Sequence, residues 1–131
     1  MIYEVKSPLL GFDSIKKMKL TKIDDIFMKL EDCDASGIVF TLIDPYALRT
    51  YSFDIPVDFQ KALKIKTDSK LLVYNIMIIQ DPVENSAINF LAPLIFNRDN
   101  KTMGQIILDS IKYPDFHIVE SLSNYVRNTL K

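Results

Sequence analysis

Apolar residues along this chain fall mostly in short runs with a period of two, the pattern of strands with one or both faces covered. Residues 2–5 read as a short strand, Gly11 marks a turn, and residues 15–23 alternate loosely between apolar residues and lysines. Residues 24–30 are predicted as a short helix: Asp24 stands where a cap belongs, and Ile26, Phe27 and Leu30 share a helical face. Residues 38–43 form a strand rich in β-branched residues, ended by the turn signal Asp44-Pro45. In residues 51–55, Tyr51, Phe53 and Ile55 alternate with Ser52 and Asp54, which predicts a strand with one buried face. Pro56 suits the start of a helix that carries Phe59, Ala62 and Leu63.

Residues 71–79 are apolar on both faces apart from Asn75 and predict the most buried strand. Residues 87–96 read as a second long β segment in which Pro93, unable to donate to a ladder, implies an edge or bulge. Residues 103–108 are the last strand. Pro114-Asp115 then opens a C-terminal helix with Ile118, Leu122, Tyr125, Val126 and Leu130 on one stripe. About seven strands with two or three short helices, and no strand–helix alternation, give a mainly β class. The expected fold is a small antiparallel β-barrel-like (or compact sandwich) domain with helices at its ends, including the C-terminal one. Leu72, Tyr74, Ile76, Phe40 and Leu42 are its expected core.

Composition narrows the class. The 131 residues are 48% apolar and carry 16 Lys plus Arg against 17 Asp plus Glu. Residues 1–131 therefore read as one domain with an ordinary core, and disorder is excluded. A net charge of −1 argues against direct nucleic-acid binding, which needs a surplus of cations. The longest apolar runs fall far short of the ~20 residues a membrane helix requires, and the first residues lack the pattern of a signal peptide. The expected location is cytoplasmic, with no membrane contact.

Candidate chemistry is sparse. One cysteine, Cys33, excludes an intramolecular disulfide, and a nucleophile pair would need Cys33 with the single histidine, His117. Asp32 and Asp34 flank that thiol and oppose its ionisation. The segment Asp32-Cys33-Asp34-Ala35-Ser36-Gly37 resembles the start of a calcium loop. Ile43 stands where the bidentate Glu belongs, so a turn is the better reading. Lys16, Lys17, Lys19 and Lys22 suit a solvated strand face. No zinc spacing, phosphate loop or nucleophile elbow occurs. No catalytic residue, cofactor or metal is expected, and the chain reads as a non-enzyme.

Several segments, in order, resemble the flagellar assembly factor FliW family. They are Leu10-Gly11-Phe12, Phe27 with Leu30, Phe40, Leu42, Asp44-Pro45-Tyr46, Tyr51 and Phe53-Asp54-Ile55-Pro56. Asn89-Phe90-Leu91-Ala92-Pro93, Asn97, Gln105-Ile106-Ile107-Leu108 and Tyr113-Pro114 complete the set. The resemblance covers roughly residues 8–114, and nothing from Asp115 onward matches. It implies a small β-barrel-like protein that binds the RNA-binding translational regulator CsrA and relieves repression of flagellin mRNA. It also implies binding of flagellin before export, each partner displacing the other; the chain is expected to be a monomer when free.

The expected docking residues are Asp44, Tyr46, Tyr51, Asn89 and Phe90, aromatic anchors beside polar groups that fix register. Asp24 and Asp25, with Glu31, Asp32 and Asp34, are expected to steer a basic partner. The alternative is a small β-barrel enzyme or ligand-binding protein with a pocket near Asn75, Asn89 and Gln105.

Overall fold

A computed structural model describes residues 1–34 and 36–126. Nine strands and two α-helices occur among them: β1 (Ile2–Ser7), β2 (Lys17–Lys22), β3 (Phe27–Asp32), β4 (Val39–Ile43), α1 (Val57–Ala62), β5 (Leu71–Ile78), β6 (Ala87–Ile88), β7 (Leu94–Asn97), β8 (Thr102–Gln105), β9 (Glu120–Ser121) and α2 (Ser123–Val126). The order β4-β3-β2-β1-β8-β7-β5 closes on itself through a β4–β5 pairing, so seven strands form a barrel without a free edge. β6 and β9 extend the far end of β5. The mainly β class holds. One seam departs from the antiparallel expectation: β1 and β8 run parallel, with Val5 opposite Met103.

Two cores explain the apolar patterning. Tyr3, Met18, Leu30, Leu42, Leu94 and Phe96 fill the barrel interior. Ile43, Phe59, Leu63, Met77, Phe90 and Ile95 belong to a second core outside β5 and β7, closed by α1 and the chain after β8. β5 and β7 separate the two cores, so neither face can be polar, as the runs at 71–79 and 94–96 anticipated. Leu42 is fully buried, whereas Phe40, Leu72, Tyr74 and Ile76 are partly buried and pack against this core.

Several expected elements differ. Residues 24–30 are not a helix. The Asp24 carboxylate accepts from the backbone N–H groups of Ile26 and Phe27, both at 2.9 Å, and folds the chain into a hairpin turn. Phe27–Asp32 then pairs with β2, placing Leu30 opposite Leu20. The same short acid that could cap a helix here closes a turn, because a partner strand lies within reach.

Residues 51–55 keep their alternating burial but form no ladder; the Tyr113 hydroxyl serves the N–H of Asp54 at 2.8 Å. Residues 87–96 split into β6 and β7 around a turn at 89–93, where Pro93 breaks the ladder. β8 ends at Gln105, although Ile106 and Leu108 still donate to the carbonyls of Pro93 and Leu91. Ala62 is exposed rather than buried.

The long C-terminal helix is likewise corrected. Residues 113–122 form a strap of turns and the short β9, and helix is confined to α2 within the described residues. Ile118 points to solvent, off the predicted stripe, because the strap is not helical there. Leu130 lies outside the described residues.

Candidate docking groove

One end of the barrel opens into a groove of about 270 Å³. Its walls come from several segments far apart in sequence. Leu10 and Phe12 stand on the β1–β2 loop, Phe40 and Ile78 on β4 and β5, Ile107 after β8, and Ile118 with Val119 on the strap. None of the residues lining it is charged. Leu10, Ile78, Ile107, Ile118 and Val119 are all more than half exposed. Large apolar side chains gathered at one opening, rather than scattered, are the kind of exposed patch that interaction sites and ligand grooves share.

Asn89 and Gln105 build this groove rather than reach across it. The Gln105 Oε1 accepts from the N–H of Leu10 at 2.8 Å, and its Nε2 donates to the carbonyl of Ala92 at 3.3 Å. Gln105 thereby fastens the β1–β2 loop to the 89–93 turn. Asn89 Oδ1 accepts from the N–H of Leu91 at 3.1 Å, which shapes that turn. The Asn-x-x-Ala-Pro block is thus a structural corner.

Asn75 does not join the other two amides. It is fully buried in the second core, where its Nδ2 donates to the Tyr51 hydroxyl at 3.1 Å and to the carbonyl of Asn89 at 2.8 Å. The expected pocket formed by all three amides is not present. Tyr51 also gives its proton to the Phe90 carbonyl, and burial pushes its phenol well above the ordinary value. Tyr51 and Phe90 are core residues at 4% and 0% exposure, so neither can touch a partner while this packing holds.

The remaining expected docking residues gather at the opposite end of the barrel. The N–H of Asp44 bonds the carbonyl of Ile26 at 2.8 Å, which brings the end of β4 against the Asp24–Asp25 turn. Asp44 caps a 3-10 turn at Pro45–Ala47 through the N–H of Tyr46. Tyr46 is 55% exposed, its ring edge toward Tyr51 at 6.2 Å. Burial of its inner part, with Asp44 beside it, raises its phenol. Asp25 is open to solvent, 3.6 Å from Lys22.

Cys33 is exposed in the β3–β4 turn, and His117 sits on the strap, where its carbonyl rather than its ring accepts from the N–H of Phe90 at 3.0 Å. Asp32 spends both carboxylate oxygens within the β3–β4 turn, on the Ser36 hydroxyl and the N–H of Asp34. The Ser36 bond holds its carboxyl below the usual range. Among the described residues no three His, Cys, Asp or Glu side chains converge as metal ligands. No described helix is long and apolar enough to cross a membrane.

The sequence pattern did not single out Arg49. Its guanidinium stacks over the rings of Phe90 at 5.3 Å and Phe116 at 4.9 Å, and faces Glu120 at 3.6 Å. A single Arg between Leu and Thr carries no sequence signal of such a contact.

A protein-family model described as FliW protein matches residues 1–119, so the likeness runs past Tyr113-Pro114 into the strap. Two relatives occur in Wolinella succinogenes. Flagellar assembly factor FliW 2 is 52% identical over 125 residues, covering 95% of this chain and 92% of the relative. Flagellar assembly factor FliW 1 is 49% identical over 127 residues, covering 97% and 99%. A crystal structure of the flagellar assembly factor FliW superposes with a TM-score of 0.83 at 23% identity, over 92% of this chain and 84% of that one.

Proposed function

This chain belongs to the FliW protein family, and from that premise we propose that it is a flagellar assembly factor that works by binding proteins, not by catalysis. Its partners in this reading are the translational regulator CsrA, released from flagellin mRNA, and flagellin itself before export. It works in the cytoplasm as a monomer when free, without contacting nucleic acid. Each partner displaces the other only by its own binding free energy.

The observation that carries the reading is the uncharged groove with its exposed rim of Leu10, Ile78, Ile107 and Ile118. Such a surface suits apolar side chains of a protein partner. The Tyr46, Asp44, Asp24 and Asp25 end offers a second, acidic face that suits a basic partner. A small-molecule site fits less well, because Gln105 is engaged in the groove's own scaffold.

Titration calorimetry with purified CsrA and purified flagellin from the same organism tests this. Ile107→Asp is expected to weaken one complex by about 1–3 kcal/mol. Tyr46→Ala is expected to weaken at least one complex by a similar amount. Asp24→Lys with Asp25→Lys is expected to slow association with CsrA at low salt more than it shortens the lifetime of the complex. Parent protein that binds neither partner would overturn the reading.

A further inference from the structure

We propose that the strap at residues 113–122, continued by α2, is a movable wall of the groove, latched shut by Arg49. The inference rests on the groove being a docking surface, and it adds how that surface changes shape.

The strap spans both places. Its middle supplies Ile118 and Val119 to the groove. Its flanks supply Phe116, Glu120 and Tyr125 to the Arg49 contact. Arg49 itself belongs to the barrel side, where its N–H bonds the carbonyl of Pro45 at 3.0 Å. The guanidinium is thus the charged tie between barrel and strap, beside the neutral bonds from the Asp54 N–H to the Tyr113 hydroxyl at 2.8 Å and from the Ser121 hydroxyl to the Glu84 carbonyl at 3.1 Å.

That tie is close but loose. Arg49 Nη1 reaches the carbonyl of Asp115 and the Tyr125 hydroxyl at 3.4 Å each. It stands 3.6 Å from Glu120 Oε2, near enough to attract and too far to hydrogen-bond. Among the described residues Glu120 Oε2 has no hydrogen-bond partner, while Oε1 accepts from Tyr125. A buried carboxylate oxygen left unpaired favours an alternative in which it meets water. Backbone attachment is equally thin: β9 contributes two residues, and single bonds run from the N–H of Phe90 to His117 and from the N–H of Leu122 to Ser86. Phe116 and Leu122 anchor the strap in the second core, so its hold is mainly apolar, and the stretch between them, with few ladder bonds and an exposed Ile118 and Val119, is the part placed to open locally.

Opening has a defined consequence. Tyr51 contacts Phe116 at 4.7 Å, and Phe90 contacts Tyr125 at 5.9 Å. Lifting the strap uncovers these two aromatic residues next to Asn89 and Leu91, which already line the groove region. An occupant that presses on Ile118 and Val119 therefore shifts the strap between a closed groove and a wider, aromatic one.

Hydrogen exchange followed by mass spectrometry tests the latch on the full chain. Arg49→Met keeps the aliphatic packing and removes the charge. It is expected to speed exchange in peptides covering the strap and Phe90 by about tenfold, with β1 to β4 unchanged. Arg49→Lys, which keeps a cation over the rings, is expected to restore part of the protection. If Arg49→Met does not fold, Tyr125→Phe, which cuts the bond to Glu120, carries the same expectation. Strap exchange equal to that of the parent, or a rise shared equally by the whole barrel, would overturn the latch.

A second arm adds saturating purified flagellin or CsrA to the parent. Altered strap protection by a bound partner supports the wall, and binding that leaves it unchanged refutes it. Absence of binding would strike the docking reading alone, since the Arg49→Met exchange result decides the latch without any partner.

Discussion

Asn75 Nδ2 donates to the Tyr51 hydroxyl at 3.1 Å among the apolar side chains of the second core. The pair joins β5 to the segment after β4, and through Asn89 and Phe90 to the turn that shapes the groove. Tyr51→Phe leaves the Phe90 carbonyl without this donor in a dry site, and Asn75→Ala does the same to the Asn89 carbonyl. Each is expected to cost about 1–3 kcal/mol, read as a lower midpoint in urea unfolding at constant slope. A cost within error of zero for both would mean that water reaches this network.

Leu42 and Ile76 face each other across β4 and β5, yet their burial differs. Leu42 is closed off entirely, while Ile76 lines the groove mouth. Leu42→Ala is expected to destabilise the fold by about 2–5 kcal/mol, and Ile76→Ala by clearly less. The same unfolding series decides the order.

Gly104 lies where β8 passes beneath α1. A Cβ there would stand 2.6 Å from Ser7 Cβ and 2.9 Å from the Phe59 ring. Neither the β1 backbone nor a packed aromatic can yield freely. Gly104→Ala is expected to lower stability by about 1–3 kcal/mol through overpacking, measured by thermal unfolding.

Alkaline pH should loosen the strap. Burial first, then the hydrogen bond to Glu120, pushes the Tyr125 phenol up to about 12. A group whose folded pKa is raised stabilises fully below its unfolded value near 10. That stability is lost as pH rises from about 10 toward 12, because the native state holds the proton longer. Tyr125→Phe should therefore flatten part of the fall in melting temperature between about pH 9.5 and 11.5. An identical fall in parent and variant would remove Tyr125 from the account.

Cys33→Ala and His117→Ala should leave both folding and partner binding intact, with stability changes within about 0.5 kcal/mol. The thiol is exposed, and His117 is held by its backbone carbonyl. Loss of binding in either folded variant would point to chemistry at these residues.

Period-two runs, their lengths and the single glycines and prolines determined most of the strands (though not β3 or β9), the helix after Pro56 and the mainly β class from sequence alone. The ordered blocks from Leu10 to Tyr113 also carried the family resemblance. These features are local, and local sterics and burial suffice to express them. Which way an aromatic faces is not local. Tyr46, within the turn at Pro45–Ala47, and Tyr51, just after it, are five residues apart, yet only Tyr46 reaches solvent, because the strap covers Tyr51 from more than sixty residues away. Asp24 carries the chemistry of a helix cap and of a hairpin turn equally, and the nearness of β2 chose between them. Arg49 acquires its partners only when the strap folds back over Phe90. Tertiary closure of the barrel decided these points, since it alone sets which distant surfaces meet and which polar groups lose water.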